Sequence, residues 1–419
     1  MATKEDVILE NQENNPKDTP YLLSHQKEEE EFFTAFKSGH LHHSWLITGT
    51  KGIGKATLAY RIARYIFSLN NPNHLKNLNI NIDTSSPILD NLPENNFNYD
   101  DEDEDESEDS FSSLNYTETP IQSQSVASVS LDKFDTSPLK LSALHPIFER
   151  LKAGGLTDLI IIEREFSDAS KTKLKTEISV EQIRKLKEFF SKTSSEGGYK
   201  IAIIDSVDEM NTNSKNALLK ILEEAPNQSL LLLICHNING LLPTIKSRCR
   251  ILKLSPIDDK NMELLLKDKI PSIKENEIKE LIKISEGSLG TALNIYKNNG
   301  LDLQNKFLGV IPEIFNKKNS GILEIINTVG NSEEIFNIFQ DIVIRFLSNA
   351  IKYKSKLPIK NLTDIETRAL DVITTYYKNI KSLFSIREAV LKDFRLVPLL
   401  NLDITATIIS TFERIKNVN

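Results

Sequence analysis

Cysteine is nearly absent: Cys235 and Cys249 are the only two in 419 residues. That is too few for a disulfide framework or a four-thiolate zinc site, and it suits a reducing compartment. Long apolar runs are missing as well, since Leu230–Cys235 and Leu159–Ile162, the longest strongly apolar stretches, fall far short of the ~20 residues of a membrane span. The polar, acidic stretch Met1–Pro20 has no apolar core flanked by positive charge, so no secretory leader is read there. Basic excess is also lacking. Lys and Arg number 51 against 59 Asp and Glu, a net charge of −8. Nine of those acids crowd into the ten positions from Asp100 to Asp109, so the rest of the chain is near +1. No base-reading motif appears, and any DNA contact is expected through helix N-termini and scattered lysines on the sugar-phosphate backbone. A soluble cytoplasmic protein without membrane contact is expected.

At roughly 100–200 residues per domain, the length implies two to four domains. Lys27–Ser38 has helical character, Ser44-Trp45-Leu46-Ile47 reads as a buried strand, and Lys55–Phe67 carries Leu58, Ile62, Ala63 and Ile66 at helical spacing. From residue 70 to 140 Asn, Ser, Asp, Glu and Pro dominate without periodicity. Such composition cannot offset its chain entropy, so this segment reads as a disordered acidic insert. Leu159–Ile162, Tyr199–Ile204 and Leu230–Ile234 are further buried strands. Between them lie a helix behind the Ser179/Gln182 capping box, with Ile183, Leu186 and Phe190 in register, and another over Ser214–Glu224. This alternation predicts a doubly wound α/β parallel sheet, built from residues 1–69 and 141–255.

After Pro256 the strand signals stop. Lys260–Lys269, Glu275–Ser285 and Leu289–Lys297 read as short helices of a small domain over 256–298. Residues 299–419 read as an all-α bundle, with Ile335, Phe339, Ile342, Phe346 and Ala350 on one stripe. A second stripe, Ile365, Ala369, Val372, Tyr376 and Ile380, follows a Thr363/Glu366 capping box.

The strongest local motif is Gly49-Thr50-Lys51-Gly52-Ile53-Gly54-Lys55-Ala56-Thr57, which fits the phosphate-binding G-x-x-x-x-G-K-[ST] loop at all but its last place. Glycines let backbone N–H groups wrap phosphates, and Lys55 would neutralise the β and γ oxygens of ATP or ADP. Ala56 stands where a hydroxyl would ligate Mg²⁺, and Thr57 is one place late, about 100° around the helix. Nucleotide binding and a relic loop of purely structural value both fit. The second motif is Ile201-Ala202-Ile203-Ile204-Asp205, a strand ending in a carboxylate that could hold a metal. His40, His42 and His43 lack a third ligand type at metal spacing and read as ordinary junction residues. The two cysteines read as small buried residues.

Downstream, Asn216-Ala217-Leu218-Leu219-Lys220-Ile221-Leu222-Glu223-Glu224-Ala225-Pro226 and Pro243-Thr244-Ile245-Lys246-Ser247-Arg248-Cys249 follow in order. With the two motifs above, the chain resembles the clamp-loader branch of the AAA+ proteins, over roughly 20–69 and 141–298. The resemblance implies an AAA+ domain, a three-helix lid and a helical collar through which subunits oligomerise. It also implies a place in the DNA polymerase III holoenzyme. Partners would be other loader subunits of the delta and gamma/tau types, with the sliding clamp and primed DNA reached through the complex.

In that family the Ser-Arg-Cys arginine is a finger that reaches the neighbouring subunit's ATP, and Arg248 occupies that place; a surface ion-pair partner is the alternative. The hydrolysing members follow the strand-end Asp with a Glu that orients water, where this chain has Ser206. They also carry an arginine in Gly-Ser-x-Arg, where this chain reads Gly287-Ser288-Leu289-Gly290. Ala56, Ser206 and Gly290 together argue against hydrolysis. The family's four-cysteine zinc module is also absent, its place being taken by the insert. Two rivals remain, a hydrolysing motor subunit and a stand-alone P-loop ATPase or kinase.

Overall fold

The computed structural model describes residues 15–69, 134–166, 175, 177–195, 198–315, 320–330, 332–359 and 362–416. These form two compact units, one of residues up to Thr50 plus Gly54–Ser255, the other of Lys51–Ile53 plus Pro256 onward.

The first unit is built on five parallel strands, β1 (Ser44–Thr48), β2 (Leu159–Ile162), β3 (Lys200–Ile204), β4 (Ser229–Cys235) and β5 (Arg250–Lys253), in the order β2-β3-β4-β1-β5. Strands β1, β3 and β4 are buried at every residue, as unbroken apolar runs require when helices cover both faces. The helices are α1 (Gln26–Lys37), α2 (Lys55–Leu69), α3 (Pro146–Lys152), α4 (Val180–Ser191), α5 (Thr212–Glu223) and the single turn α6 (Pro243–Lys246). The α4 capping box closes in both directions, Ser179 with the Gln182 backbone and Gln182 with the Ser179 backbone. Strand β5 escapes sequence reading. It is an edge strand with only Leu252 buried, and Arg250, Ile251 and Lys253 are exposed.

Helix α2 is held by two buried arginines. Arg61 donates to Glu29 Oε1 at 2.6 Å and Asp135 Oδ2 at 2.8 Å, and also to the Pro20 carbonyl. Arg64 donates to the carbonyls of Lys17 (2.9 Å) and Thr19 (2.8 Å) and stacks on Phe148, 4.5 Å from its centroid. Burial pushes the Glu29 carboxyl above its usual range, and Arg61 opposes that shift. Because Asp135, Ser137 and Leu139 are buried, the acidic insert read over 70–140 ends earlier than its composition suggested. Its residues 134–140 belong to the packed unit, because a carboxylate is needed to neutralise Arg61. The remainder, 70–133, lies outside the described residues.

The second unit is helical in its described part: α7 (Asp259–Lys269), α8 (Glu275–Ser285), α9 (Leu289–Lys297), α10 (Gly300–Phe315), α11 (Ser320–Val329), α12 (Glu333–Lys354), α13 (Asp364–Tyr376), α14 (Ile380–Leu400) and α15 (Ile404–Lys416). Phe307 is its hub, with ring centroids 5.4 Å from Phe346, 5.8 Å from Phe412 and 6.1 Å from Phe339. The Thr363/Glu366 capping box is present at the start of α13. The apolar stripe read through Ile380 as one helix is in fact broken. Tyr377 turns extended, its hydroxyl donating to the buried Ile415 carbonyl at 2.7 Å, and Asn379 caps α14 by accepting from Lys381 N.

Candidate functional site

All five strands run the same way, so the first unit has two chemically distinct edges. The sequence-predicted residues divide between them.

Gly49, Thr50, Gly54, Lys55, Ala56 and Thr57 follow β1 at the carboxyl edge. The loop keeps the backbone that its glycines permit, with φ of 148° at Gly49, 79° at Gly52 and 106° at Gly54. At Gly54 a Cβ would stand 2.7 Å from Leu22 Cδ1, the end of a side chain that can shift, so it is the φ of 106° that calls for glycine there. Lys55 is 3% exposed, and its ammonium donates to the carbonyls of Gly49 (2.8 Å) and Thr50 (2.5 Å). A phosphate would have to take the ammonium from those two carbonyls. Ala56 offers no oxygen to a magnesium ion, and Thr57 is buried in α2.

The loop tip, Lys51, Gly52 and Ile53, groups with the second unit. There Gly290 N donates to Gly52 O at 2.9 Å and Ser288 Oγ to Lys51 O at 2.7 Å. A Cβ at Gly290 would sit 2.8 Å from Gly52 Cα. The backbone approach leaves no room for any side chain.

Asp205 ends β3 and donates its N–H to Ile162 O at 2.8 Å. Ser206, the next residue, is left-handed at φ 66°. Its Oγ donates to Asp205 Oδ1 at 3.4 Å and shares a second hydrogen bond with His236 Nε2 at 3.1 Å. The next two carboxylates along the chain are both engaged in other contacts. Asp208 accepts from His236 N (3.0 Å) and Asn237 N (2.9 Å), and Glu209 pairs with Arg164 at 2.8 Å.

Arg248 lies at the opposite, amino edge. Two residues on, Arg250 pairs in register with Trp45 near the start of β1, whereas the phosphate loop follows the end of that strand. At about 3.3 Å per residue the strand separates Ser44 from Gly49 by about 16 Å, so Arg248 and its own phosphate loop flank the sheet from two sides. The guanidinium is half-exposed, 2.6 Å from Glu223 Oε1, and donates to Thr244 O at 3.0 Å. An exposed pair of this kind is worth about 0–1 kcal/mol and exchanges readily for a better anion. The Arg248 carbonyl accepts from Ser44 Oγ at 2.5 Å. Next to it, His43 Nε2 donates to Leu222 O at 2.9 Å and stacks on His42, 4.6 Å between centroids. Burial is the main reason that His43 titrates below its ordinary value, and its neighbour His42 adds to the shift.

Sequence reasoning missed Glu223 and Ser44 as partners of Arg248, and His43 as the partner of the Leu222 carbonyl, because they are brought together by folding rather than by spacing. Cys235 and Cys249 are free thiols, which burial pushes up to about 12 and about 11, so neither is a nucleophile near neutrality. Among the described residues no group of three or more His, Cys, Asp or Glu could hold a metal ion, and no helix is long and apolar enough to cross a membrane.

Residues 147–258, from α3 through β5 and including Arg248, match the family described as DNA polymerase III, delta subunit. Among curated proteins, DNA polymerase III subunit delta' of Pseudomonas aeruginosa is 37% identical over 147 residues, covering 35% of this chain and 42% of that protein. The subunit delta' of Bacillus subtilis is 32% identical over 145 residues, or 33% and 41% of the two chains. DNA polymerase III subunit gamma of Buchnera aphidicola is 27% identical over 300 residues, 69% of this chain and 61% of its own. The chain thus matches about two-fifths to three-fifths of the length of these relatives.

Proposed function

We propose that this chain, a clamp-loader-type AAA+ protein, acts as a non-hydrolysing, delta prime-like subunit of a DNA polymerase III clamp loader. Its work is to help place the sliding clamp on primed DNA, in the cytoplasm, beside delta- and gamma/tau-type subunits. It lends Arg248 to ATP bound by a neighbour. The observation that carries this reading is the separation of Arg248 from its own phosphate loop by the length of β1. A half-exposed guanidinium at the amino edge has no phosphate of its own chain to serve, and a planar fork is the donor that best offsets phosphoryl charge.

The carboxyl edge supports the negative half of the reading. A magnesium-ligating hydroxyl, a water-orienting Glu and an arginine are replaced by Ala56, Ser206 and Gly290. The next two carboxylates after Ser206, Asp208 and Glu209, are committed to other contacts. ATP or ADP held by Gly49–Thr57 and Asp205 would be a structural ligand, with Lys55 on its phosphates. A hydrolysing motor subunit needs the groups that are missing, and a stand-alone ATPase leaves Arg248 without a role.

The test is Arg248→Ala in the reconstituted loader. It should leave folding and assembly intact and lower the ATPase stimulated by clamp and primed DNA. A dominant finger is worth ~10³-fold or more, and several ATP sites dilute this to a partial loss. Arg248→Lys should rescue poorly, because a point charge on a flexible stem does not reproduce the fork. An Arg248→Ala complex with full stimulated hydrolysis and clamp loading would refute the assignment.

A further inference from the structure

Arg248 is fixed by its backbone before its side chain makes any contact. Its N–H donates to Ile245 O at 3.1 Å and its carbonyl accepts from Ser44 Oγ at 2.5 Å, where Ser44 and Ile245 are fully buried. What remains free is a chain of side-chain torsions, and two further groups restrict those. Thr244 O takes one N–H of Nη1 at 3.0 Å, and Glu223 Oε1 forms an ion pair with Nη2 at 2.6 Å. Of the five donors on the guanidinium, one is committed to that hydrogen bond.

Glu223 is itself on a fixed mount. It is the last residue of α5, and the carbonyl before it, on Leu222, is held by His43 Nε2 at 2.9 Å. Consecutive residues at the start of β1, His43 and Ser44, thus tie down both the helix that carries Glu223 and the backbone of Arg248.

We infer that Glu223 is the positioning residue for Arg248: it holds the guanidinium in one orientation, so that the fork is already formed when a neighbour's phosphates arrive. The inference rests on the reading that Arg248 acts in trans. The chemistry is the ordinary benefit of orientation, since a charged group aimed in advance has less freedom to lose in the transition state. A rival role for the same contact is masking, in which Glu223 neutralises Arg248 until it is displaced.

The experiment is a double-mutant cycle in the reconstituted complex, reading kcat and KM for ATP with clamp and primed DNA present. Glu223→Ala should lower kcat about two- to fivefold, the range open to an exposed ion pair, with KM unchanged. Glu223→Gln, which keeps an acceptor oxygen of the same reach, should recover part of that loss. In an Arg248→Ala background Glu223→Ala should have no further effect, and melting of each variant should match the parent. Four results would overturn the inference. If Arg248→Ala lowers kcat but Glu223→Ala does not, positioning fails while the finger reading stands. If neither substitution matters, the finger reading fails first and takes this inference with it. A rise in kcat on Glu223→Ala would mean masking, and an equal loss in the Arg248→Ala background would place its effect elsewhere.

Discussion

The two edges of one parallel sheet have met different fates. At the carboxyl edge the phosphate loop keeps its glycine conformations and its lysine, with Ala56, Ser206 and Gly290 at the places where the proposed reading finds hydrolysis lost, and its tip is packed backbone to backbone against Gly290. At the amino edge Arg248 is half-exposed, backbone-anchored, paired with Glu223 and bonded to the Thr244 carbonyl. A loop can outlast its chemistry when the fold still leans on its shape. On the proposed reading Arg248 needs no such support from its own nucleotide site, because the phosphate it serves sits on another chain. Substitutions near the loop should therefore cost stability, and substitutions around Arg248 should cost the activity of the complex.

The largest stability effect is expected at the base of the loop helix α2. Arg61→Ala leaves the carboxylates of Glu29 and Asp135 buried without their cation, a loss of about 3–5 kcal/mol in a denaturant melt. The same logic corrects the insert boundary. Deleting 71–133 should leave the melt nearly unchanged, and extending the deletion through 136 should destabilise by a similar amount, because Asp135 goes with it. Equal melts for the two deletions would mean that Asp135 contributes nothing.

A middle-sized effect is expected at the loop tip. Gly290→Ala forces a methyl to 2.8 Å from Gly52 Cα and should cost about 1–3 kcal/mol. Gly309→Ala is the matched control, a glycine inside α10 with nothing within 4 Å of the added carbon, and it should stabilise by up to about 1 kcal/mol. Similar melts for both would show that the tip is loosely packed.

The smallest effect is a pH dependence at the amino edge. His43 is depressed below 6.5 in the folded chain, mainly by burial, so the unfolded chain binds the proton more readily. Stability from this group is complete above pH 6.5 and falls as the pH drops through the folded value. Stability measured from pH 7.5 downward should decline less in His43→Phe than in the parent, and parallel curves would remove His43 from the account.

The fold was legible where the signal is short-ranged. Buried strand runs, the glycine loop and both capping boxes depend on residues a few places apart, and they appear where their spacing put them. Three features were not legible, each for a tertiary reason. Strand β5 is an edge strand with one buried side chain, so no apolar run announces it. The end of α13 at Tyr376 depends on Tyr377 reaching a carbonyl 38 residues away, across the bundle. Asp135 looked like the tail of a polar insert because its partner Arg61 lies 74 residues earlier. The site divided along the same line. Arg248, the loop and the three replaced residues were readable from motif order, whereas Glu223 and Ser44 join Arg248, and His43 joins the Leu222 carbonyl, only through folding.

The central claim is that this subunit gives an arginine and does not use its own phosphate loop for turnover. The most direct measurement compares Lys55→Ala and Arg248→Ala side by side in the reconstituted complex, by ATPase stimulated with clamp and primed DNA. The expected result is near-parental turnover for Lys55→Ala once assembled, a marked loss for Arg248→Ala, and no turnover by the isolated chain. The opposite pattern, with turnover by the isolated chain that disappears in Lys55→Ala and an Arg248→Ala complex at full rate, would contradict the account.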